Sequence, residues 1–256
     1  MITNLIILLL VGSLVGAASG YLGSFMVVKR MSLVGDALSH VALPGMAIAM
    51  MLSVSPMLGA FTALTIAIVG IWYLAEHSEI YPEALVGVFF TASLAIGLLI
   101  TPEPELFEAL FGNIETITIS DGIAILVASV LIFVLTRIIS KRLLLGIVSE
   151  DLAKAGSVNT SKINLIYLFL VGLVVALGVK FVGTLLTGAL VIIPAVTAKN
   201  IAKSIKWFQI YSIIFGVLSV VMGILISRLI SIPSGPSIVL VSIFFFLGSY
   251  FVKIAK

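Results

Sequence analysis

The chain has 256 residues, 61% of them hydrophobic and only 10% charged, proportions that exclude a soluble globular domain and leave an all-α polytopic membrane protein. Its net charge of +3 comes from 14 Lys and Arg against 11 Asp and Glu; the cations sit in short stretches beside apolar spans, where they orient the chain rather than bind nucleic acid. With no cysteine, disulfides, thiolate metal sites and thiol redox chemistry are excluded as well.

A membrane helix needs about 20 mostly apolar residues. On that criterion nine spans are expected, at 5–28, 33–52, 56–75, 84–101, 122–140, 163–179, 181–198, 209–228 and 236–252. The span at 181–198 is the weakest: it is short and holds Gly183, Gly188 and Pro194, so a broken or re-entrant helix would reduce the count to eight. No stretch between spans is long enough for a second folded unit, so residues 1–256 read as one transmembrane domain. The N-terminal Met1-Ile-Thr-Asn lacks a positive n-region, and apolar sequence continues to Val28, so it reads as a first span and not as a cleavable signal.

In that first span Gly12, Gly16 and Gly20 recur every four residues with Gly23 nearby, a small-residue stripe suited to a close helix crossing. The second span carries the anomaly. Asp36 and His40 lie in an otherwise apolar segment, where a charge near the bilayer centre costs about 2.5–3.5 kcal/mol on insertion scales. Asp36 is therefore expected to face the bundle interior or a water-filled path. Four residues apart, the two side chains share one helix face and offer a carboxylate oxygen and an imidazole nitrogen to a single ion. Two ligands are too few to enclose a divalent cation. Pro44, lacking an N–H, is expected to kink the helix and to free the carbonyl of His40 beside the imidazole. Three readings of the pair stand at this point: a polar contact between helices, a proton relay, and a metal site. Met46, Met50, Met51 and Met57 follow closely and read as gap-filling side chains rather than thioether ligands.

His77 lies in a loop beside Glu76 and Glu79, and the segment from Pro102 to Asp121 holds Glu103, Glu105, Glu108, Glu115 and Asp121 with Leu106, Phe107, Leu110 and Phe111. The latter segment reads as an interfacial amphipathic helix, a docking surface for a binding protein, or a funnel for cations. The longest basic and polar excursion, about 141–162, contains Ser149-Glu-Asp151-Leu-Ala153-Lys-Ala-Gly156. Here a cap residue precedes acids suited to a helix start and a glycine suited to its end, which predicts a short helix. The basic clusters Lys29/Arg30, Arg137/Lys141/Arg142/Lys154/Lys162, Lys199/Lys203/Lys206 and Lys253/Lys256 fall on one side under the nine-span parse. That side is expected to be cytoplasmic, with residue 155 inside and residue 107 outside. No phosphate-binding loop, dinucleotide fingerprint or zinc-protease motif occurs in the sequence, so the chain is not expected to be an enzyme by itself.

The segment Arg30-Met-Ser-Leu-Val-Gly-Asp36-Ala-Leu-Ser-His40-Val-Ala-Leu-Pro44-Gly45 resembles the corresponding part of the membrane permease of the ABC-3 family of manganese, zinc and iron importers. The similarity continues through 149–156, through Lys180-Phe-Val-Gly183-Thr-Leu-Leu-Thr187-Gly188-Ala-Leu-Val-Ile-Ile-Pro194-Ala195 and through Pro233-Ser-Gly235-Pro236, in that order. The resemblance implies an ABC importer permease in the cell membrane that gates a path for a divalent transition-metal ion (Mn, Zn or Fe). It implies metal binding by Asp36 and His40, and docking of Asp151, Ala153 and Gly156 into a separate cytoplasmic ABC ATPase as the coupling helix. The implied partners are a second copy of the chain, that ATPase, an extracellular or periplasmic metal-binding protein and membrane lipid. No cofactor is expected, the metal being cargo and ATP being bound by the partner. Pairing across a two-fold axis would bring two carboxylates and two imidazoles together, a donor set fit for Mn²⁺, Zn²⁺ or Fe²⁺ and ill suited to Cu⁺, Mg²⁺ or Ca²⁺. The alternative is a proton-coupled secondary transporter in which Asp36 and His40 carry protons; a non-transporting scaffold is a weaker third reading.

Overall fold

In a computed structural model of the chain, which describes residues 2–100 and 119–254, glycines decide which helices meet. Helix α1 (Ile2–Val28) crosses α9 (Ile205–Ile230) where Gly16 and Gly216 face each other. A Cβ built on Gly16 would stand 2.5 Å from the carbonyl oxygen of Gly216, and one on Gly216 would strike the carbonyl of Gly16. Gly20 likewise admits the carbonyl of Ser212, and Gly23 that of Val191 in α8 (Thr184–Ile201). The small-residue stripe read in the sequence is thus a backbone-to-backbone contact with two helices.

The described residues form ten α-helices and no strand. The others are α2 (Val34–Met51), α3 (Pro56–His77), α4 (Pro82–Ile100), α5 (Ile119–Val148), α6 (Glu150–Ala155), α7 (Thr160–Val182) and α10 (Ser234–Ile254). Eight of them are long and apolar enough to cross a membrane, and α8 is a shorter apolar helix parted from α7 by the single residue Gly183. Gly183 has φ 88°, a backbone conformation that a side chain would strain. The expected weak span is therefore a separate helix with a fixed break at its start. The acidic segment 101–118, Phe107 included, lies outside the described residues.

Burial sorts the helices into an inner and an outer set. Two-thirds (67%) of the α2 window is buried against only 17% of the α4 window, although α4 is the more apolar helix. Lipid solvates apolar faces, so an apolar helix such as α4 can stay outside, whereas the helix carrying Asp36 is enclosed; apolarity alone does not decide, since α7 is as buried as α2. Three buried hydroxyls are satisfied within their own helices, as Ser24, Ser212 and Ser242 each donate to a carbonyl one turn back.

Helix α5 extends to Val148, eight residues beyond the expected end at 140. Arg137, Lys141 and Arg142 thus sit on that helix, which long cationic side chains permit near a membrane boundary because their stems can lie along apolar surface. Lys29 Nζ donates to Asn164 Oδ1 at 2.7 Å, and Trp72 Nε1 donates to Ser161 Oγ at 3.0 Å. These bonds gather the ends of α1, α3 and α7 beside α6, so the basic residues mark one end of the bundle.

Two outcomes follow from this arrangement. Gly216→Ala should lower the melting temperature of the purified chain, because overpacking costs about 1–3 kcal/mol, whereas Gly87→Ala, whose Cβ would meet nothing within 4 Å, should be neutral or raise it by helix propensity. In the cysteine-free background, single cysteines at Val54 and Ala155, both exposed at opposite ends, test the orientation. An impermeant maleimide on intact cells should label position 54 and leave 155 unlabelled until the membrane is opened; the reverse pattern would invert the bundle.

Candidate metal site

Asp36 lies in the first turn of α2, and its carboxylate rests against the backbone of α8. A Cβ on Gly188 would stand 2.6 Å from Asp36 Cβ and 2.7 Å from its Oδ1, so glycine there is what lets the acid sit against that helix. Ser39 completes the join: its buried Oγ lies 2.7 Å from the Asp36 carbonyl and 2.6 Å from the Thr184 carbonyl, and its one proton can serve either. The Thr184 carbonyl belongs to the first turn of α8, immediately after the Gly183 break.

His40 stands one turn above Asp36. Its ring packs edge-on to Phe90 of α4, with centroids 5.3 Å apart, while Nδ1 is buried and makes no hydrogen bond. A buried imidazole nitrogen without a partner is a costly arrangement in a finished core; six buried hydroxyls among the described residues share it, and of these seven atoms the imidazole nitrogen is the donor suited to a transition-metal ion. Helix α2 continues unbroken through Pro44, whose missing N–H leaves the His40 carbonyl without its usual helical donor. Along the same helix, Pro44, Gly45, Thr62 and Phe89 line an apolar groove of about 530 Å³. That groove offers a divalent ion almost no ligands and is no route for one.

Among the described residues no group of three or more His, Cys, Asp or Glu is placed to hold a metal ion. The described residues of one chain therefore place an acid and an imidazole together with no third side chain of those types. The other residues flagged in the sequence divide sharply. Thr184 and Thr187 are fully buried; Thr187 Oγ1 donates to the Gly183 carbonyl at 2.6 Å, and its side chain packs where a Cβ on Gly178 would stand, so it closes the α7–α8 turn. Thr184 Oγ1 is buried without a partner. His77 is exposed and tied to its own helix, through Nδ1 and the Tyr73 carbonyl at 2.8 Å.

The short helix expected at 149–156 is present as α6. Ser149 Oγ accepts from Leu152 N at 3.2 Å as its N-cap. Asp151 and Gly156 are exposed, whereas Ala153 is 0% exposed and its carbonyl accepts from Val158 N at 2.9 Å. Ala153 thus seats α6 on its own chain, and Asp151 and Gly156 are left facing out. Gly156 closes the helix at φ −80°, and the left-handed residue is Ser157 at φ 56°.

Sequence reasoning singled out Asp36 and His40 but not Ser39, Phe90 or the contact with Gly188. The four-residue spacing of Asp36 and His40 carries no sign of a second helix; Gly188, inside a glycine-containing block already noted, is the one hint of a close approach.

The comparisons with known proteins agree with this architecture. The model of the ABC 3 transport family matches residues 1–253. The manganese import system permease protein ScaB of Streptococcus gordonii is 32% identical over 95% of this chain and 89% of that relative. The high-affinity zinc uptake system membrane protein ZnuB of Haemophilus influenzae is 31% identical over 95% of each. Among solved structures, PsaBC from Streptococcus pneumoniae in complex with Fab is similar at a TM-score of 0.85 and 32% identity, covering 98% of this chain and 96% of that one. A multi-pass protein of the plasma membrane, the chain belongs to the ABC 3 transport family.

Proposed function

We propose that the chain is the permease of an ATP-driven importer for a divalent transition-metal ion, bound in transit by Asp36 and His40. The observation that carries the reading is the His40 nitrogen, buried and unpartnered one turn from the Asp36 carboxylate in the most enclosed class of helix. The relatives named for manganese and for zinc support the metal class; oxygen and nitrogen donors serve Mn²⁺, Zn²⁺ and Fe²⁺ alike. Because the described residues of one chain bring no third His, Cys, Asp or Glu to the pair, the proposed site is completed by a second copy across a two-fold axis. An extracellular or periplasmic metal-binding protein delivers the ion, and a separate cytoplasmic ATPase binds and hydrolyses ATP.

The mechanism uses one mechanical line. Helix α6 is seated through Ala153 on the residues leading into α7, α7 runs from there to Gly183, and α8 begins after it with the Thr184 carbonyl on Ser39 and Gly188 against Asp36. An ATPase gripping the exposed Asp151 and Gly156 can move the far end of α7, and with it the wall against which Asp36 stands. Alternating closure of the two ends then changes which side the ion reaches, with binding firm enough for entry and loose enough for release. The rival reading, proton carriage by the same two side chains, requires no ATPase, and a purified chain that moves metal down a proton gradient in vesicles without one would establish it.

Asp36→Asn keeps shape and removes charge; His40→Ala removes a nitrogen donor. Each should reduce metal accumulation in cells at least tenfold with the protein level unchanged, since neutralising a membrane acid lowers its insertion cost. Wild-type uptake by the double variant would eliminate the site. For the lever, Asp151→Lys or Gly156→Arg should leave the permease folded in the membrane but lose co-purification of the ATPase and metal uptake together; retention of both would reduce α6 to a connector.

A further inference from the structure

A second polar feature lies at the basic end of the bundle, away from Asp36 and His40. The ends of α1, α5 and α7 enclose a cavity of about 170 Å³ lined by Lys29, Arg142, Thr160 and Asn164 over an apolar floor that includes Leu143 and Ile163. Among the described residues no acid lines it. The described partners of Lys29 are neutral: its Nζ donates to Asn164 Oδ1 at 2.7 Å and stands 4.8 Å over the ring of Tyr167. The opening turn of α7 forms part of the wall and adds the partial positive charge of a helix start. Two cations, a hydroxyl, an amide and a helix start thus meet at one small space, with no acid among its described lining.

The surface beside the cavity bears on what can fill it. On α5, Leu131, Val134 and Ile138 are exposed apolar side chains, as a lipid-facing surface should be. Arg142 is one turn beyond Ile138 on that same face and is also exposed, so the surface changes from apolar to cationic where the cavity begins. Acyl chains lying along α5 would bring their headgroup to Arg142.

We propose that this cavity binds a phosphate-bearing anion, presented as the headgroup of an anionic phospholipid in the leaflet at the basic end. The phosphate would lie between Lys29 and Arg142, with the Thr160 hydroxyl donating to it and the acyl chains on the exposed face of α5. Burial supports the demand for a counter-ion, since it holds the Lys29 ammonium down to about 8, and a neighbouring phosphate would reverse that shift. The cavity adjoins the first turn of α7, next to the segment that carries α6, so an occupant there would brace the base of the proposed lever.

The test uses the full-length chain purified in detergent and stripped of lipid, with binding followed by native mass spectrometry and by melting temperature. Phosphatidylglycerol should form a retained one-to-one adduct and raise the melting temperature, while phosphatidylcholine should do neither. Arg142→Gln should weaken phosphatidylglycerol about tenfold, the factor one charge-assisted hydrogen bond contributes. Lys141→Gln, an exposed cation next in sequence but outside the cavity, should change binding less than twofold. Equal losses in the two variants, or equal binding of the neutral lipid, would overturn the cavity as the site. Inorganic phosphate that protects as well as the lipid would overturn the headgroup as the occupant. Neither result touches the metal-site reading, which rests on Asp36 and His40.

Discussion

The contact between the start of α8 and the first turns of α2 is the constraint on which the remaining architecture depends. Asp36 must be enclosed because a carboxylate facing acyl chains is several kcal/mol less stable than one in a polar setting. Enclosure against another helix requires that helix to lack a side chain at the contact, and Gly188 supplies the gap. It also requires a polar link to fix the register, and Ser39 supplies it by reaching the Thr184 carbonyl. That carbonyl sits at the start of a helix, following Gly183, whose positive φ separates α8 from α7. The break that made this span look weak in the sequence is what turns a backbone edge toward the acid.

Enclosing α2 has consequences for its neighbours. A helix held at the centre needs others close around it, and close approach in lipid depends on small residues because there is no hydrophobic drive between apolar surfaces. Gly45 and Gly59 bring α2 and α3 into mutual backbone contact, and Gly97 lets α4 lie on Leu43 and Pro44. Gly23 of α1 admits Val191 of α8. The glycines therefore form a set of contacts that fix α8 from two sides, with α2 on one and α1 on the other.

Much of this was legible in the sequence, and the limits of legibility are physical. The helical class and the enclosure of Asp36 follow from local quantities, apolar length and the insertion cost of a charge. The pairing of Asp36 with His40 follows from helical periodicity, and the short helix at Ser149 from its cap. The glycine stripe in α1 announced a close crossing but not its partners, since a small residue carries no address. Gly188 against Asp36 and Ser39 against Thr184 are tertiary meetings between segments about 150 residues apart, and no spacing rule reaches that far. The end of α5 was placed too early because Arg137, Lys141 and Arg142 resemble a polar loop, whereas at a membrane boundary they are compatible with continued helix. Ala153 was grouped with Asp151 and Gly156 by motif alone; helical rotation places it on the inner side, where it seats α6 on the chain.

That inward placement of Ala153 bears on how force can travel. A helix of six residues has little rigidity of its own, and if it were attached only at its ends a partner's push would be lost in bending. Seating through Ala153, followed within a few residues by the Asn159 cap of α7, joins α6 to a 23-residue rod. The other end of that rod is held shut by Thr187 against Gly178 and by the Gly183 carbonyl bond. In the proposed mechanism, displacement at the basic end would reach α8 as movement of the wall beside Asp36, because the intervening turn is tightly packed. Asp151 on α6 and Asp36 on α2 would then be coupled through α7 and the start of α8, which is what the proposed ATP-driven gating requires of the chain.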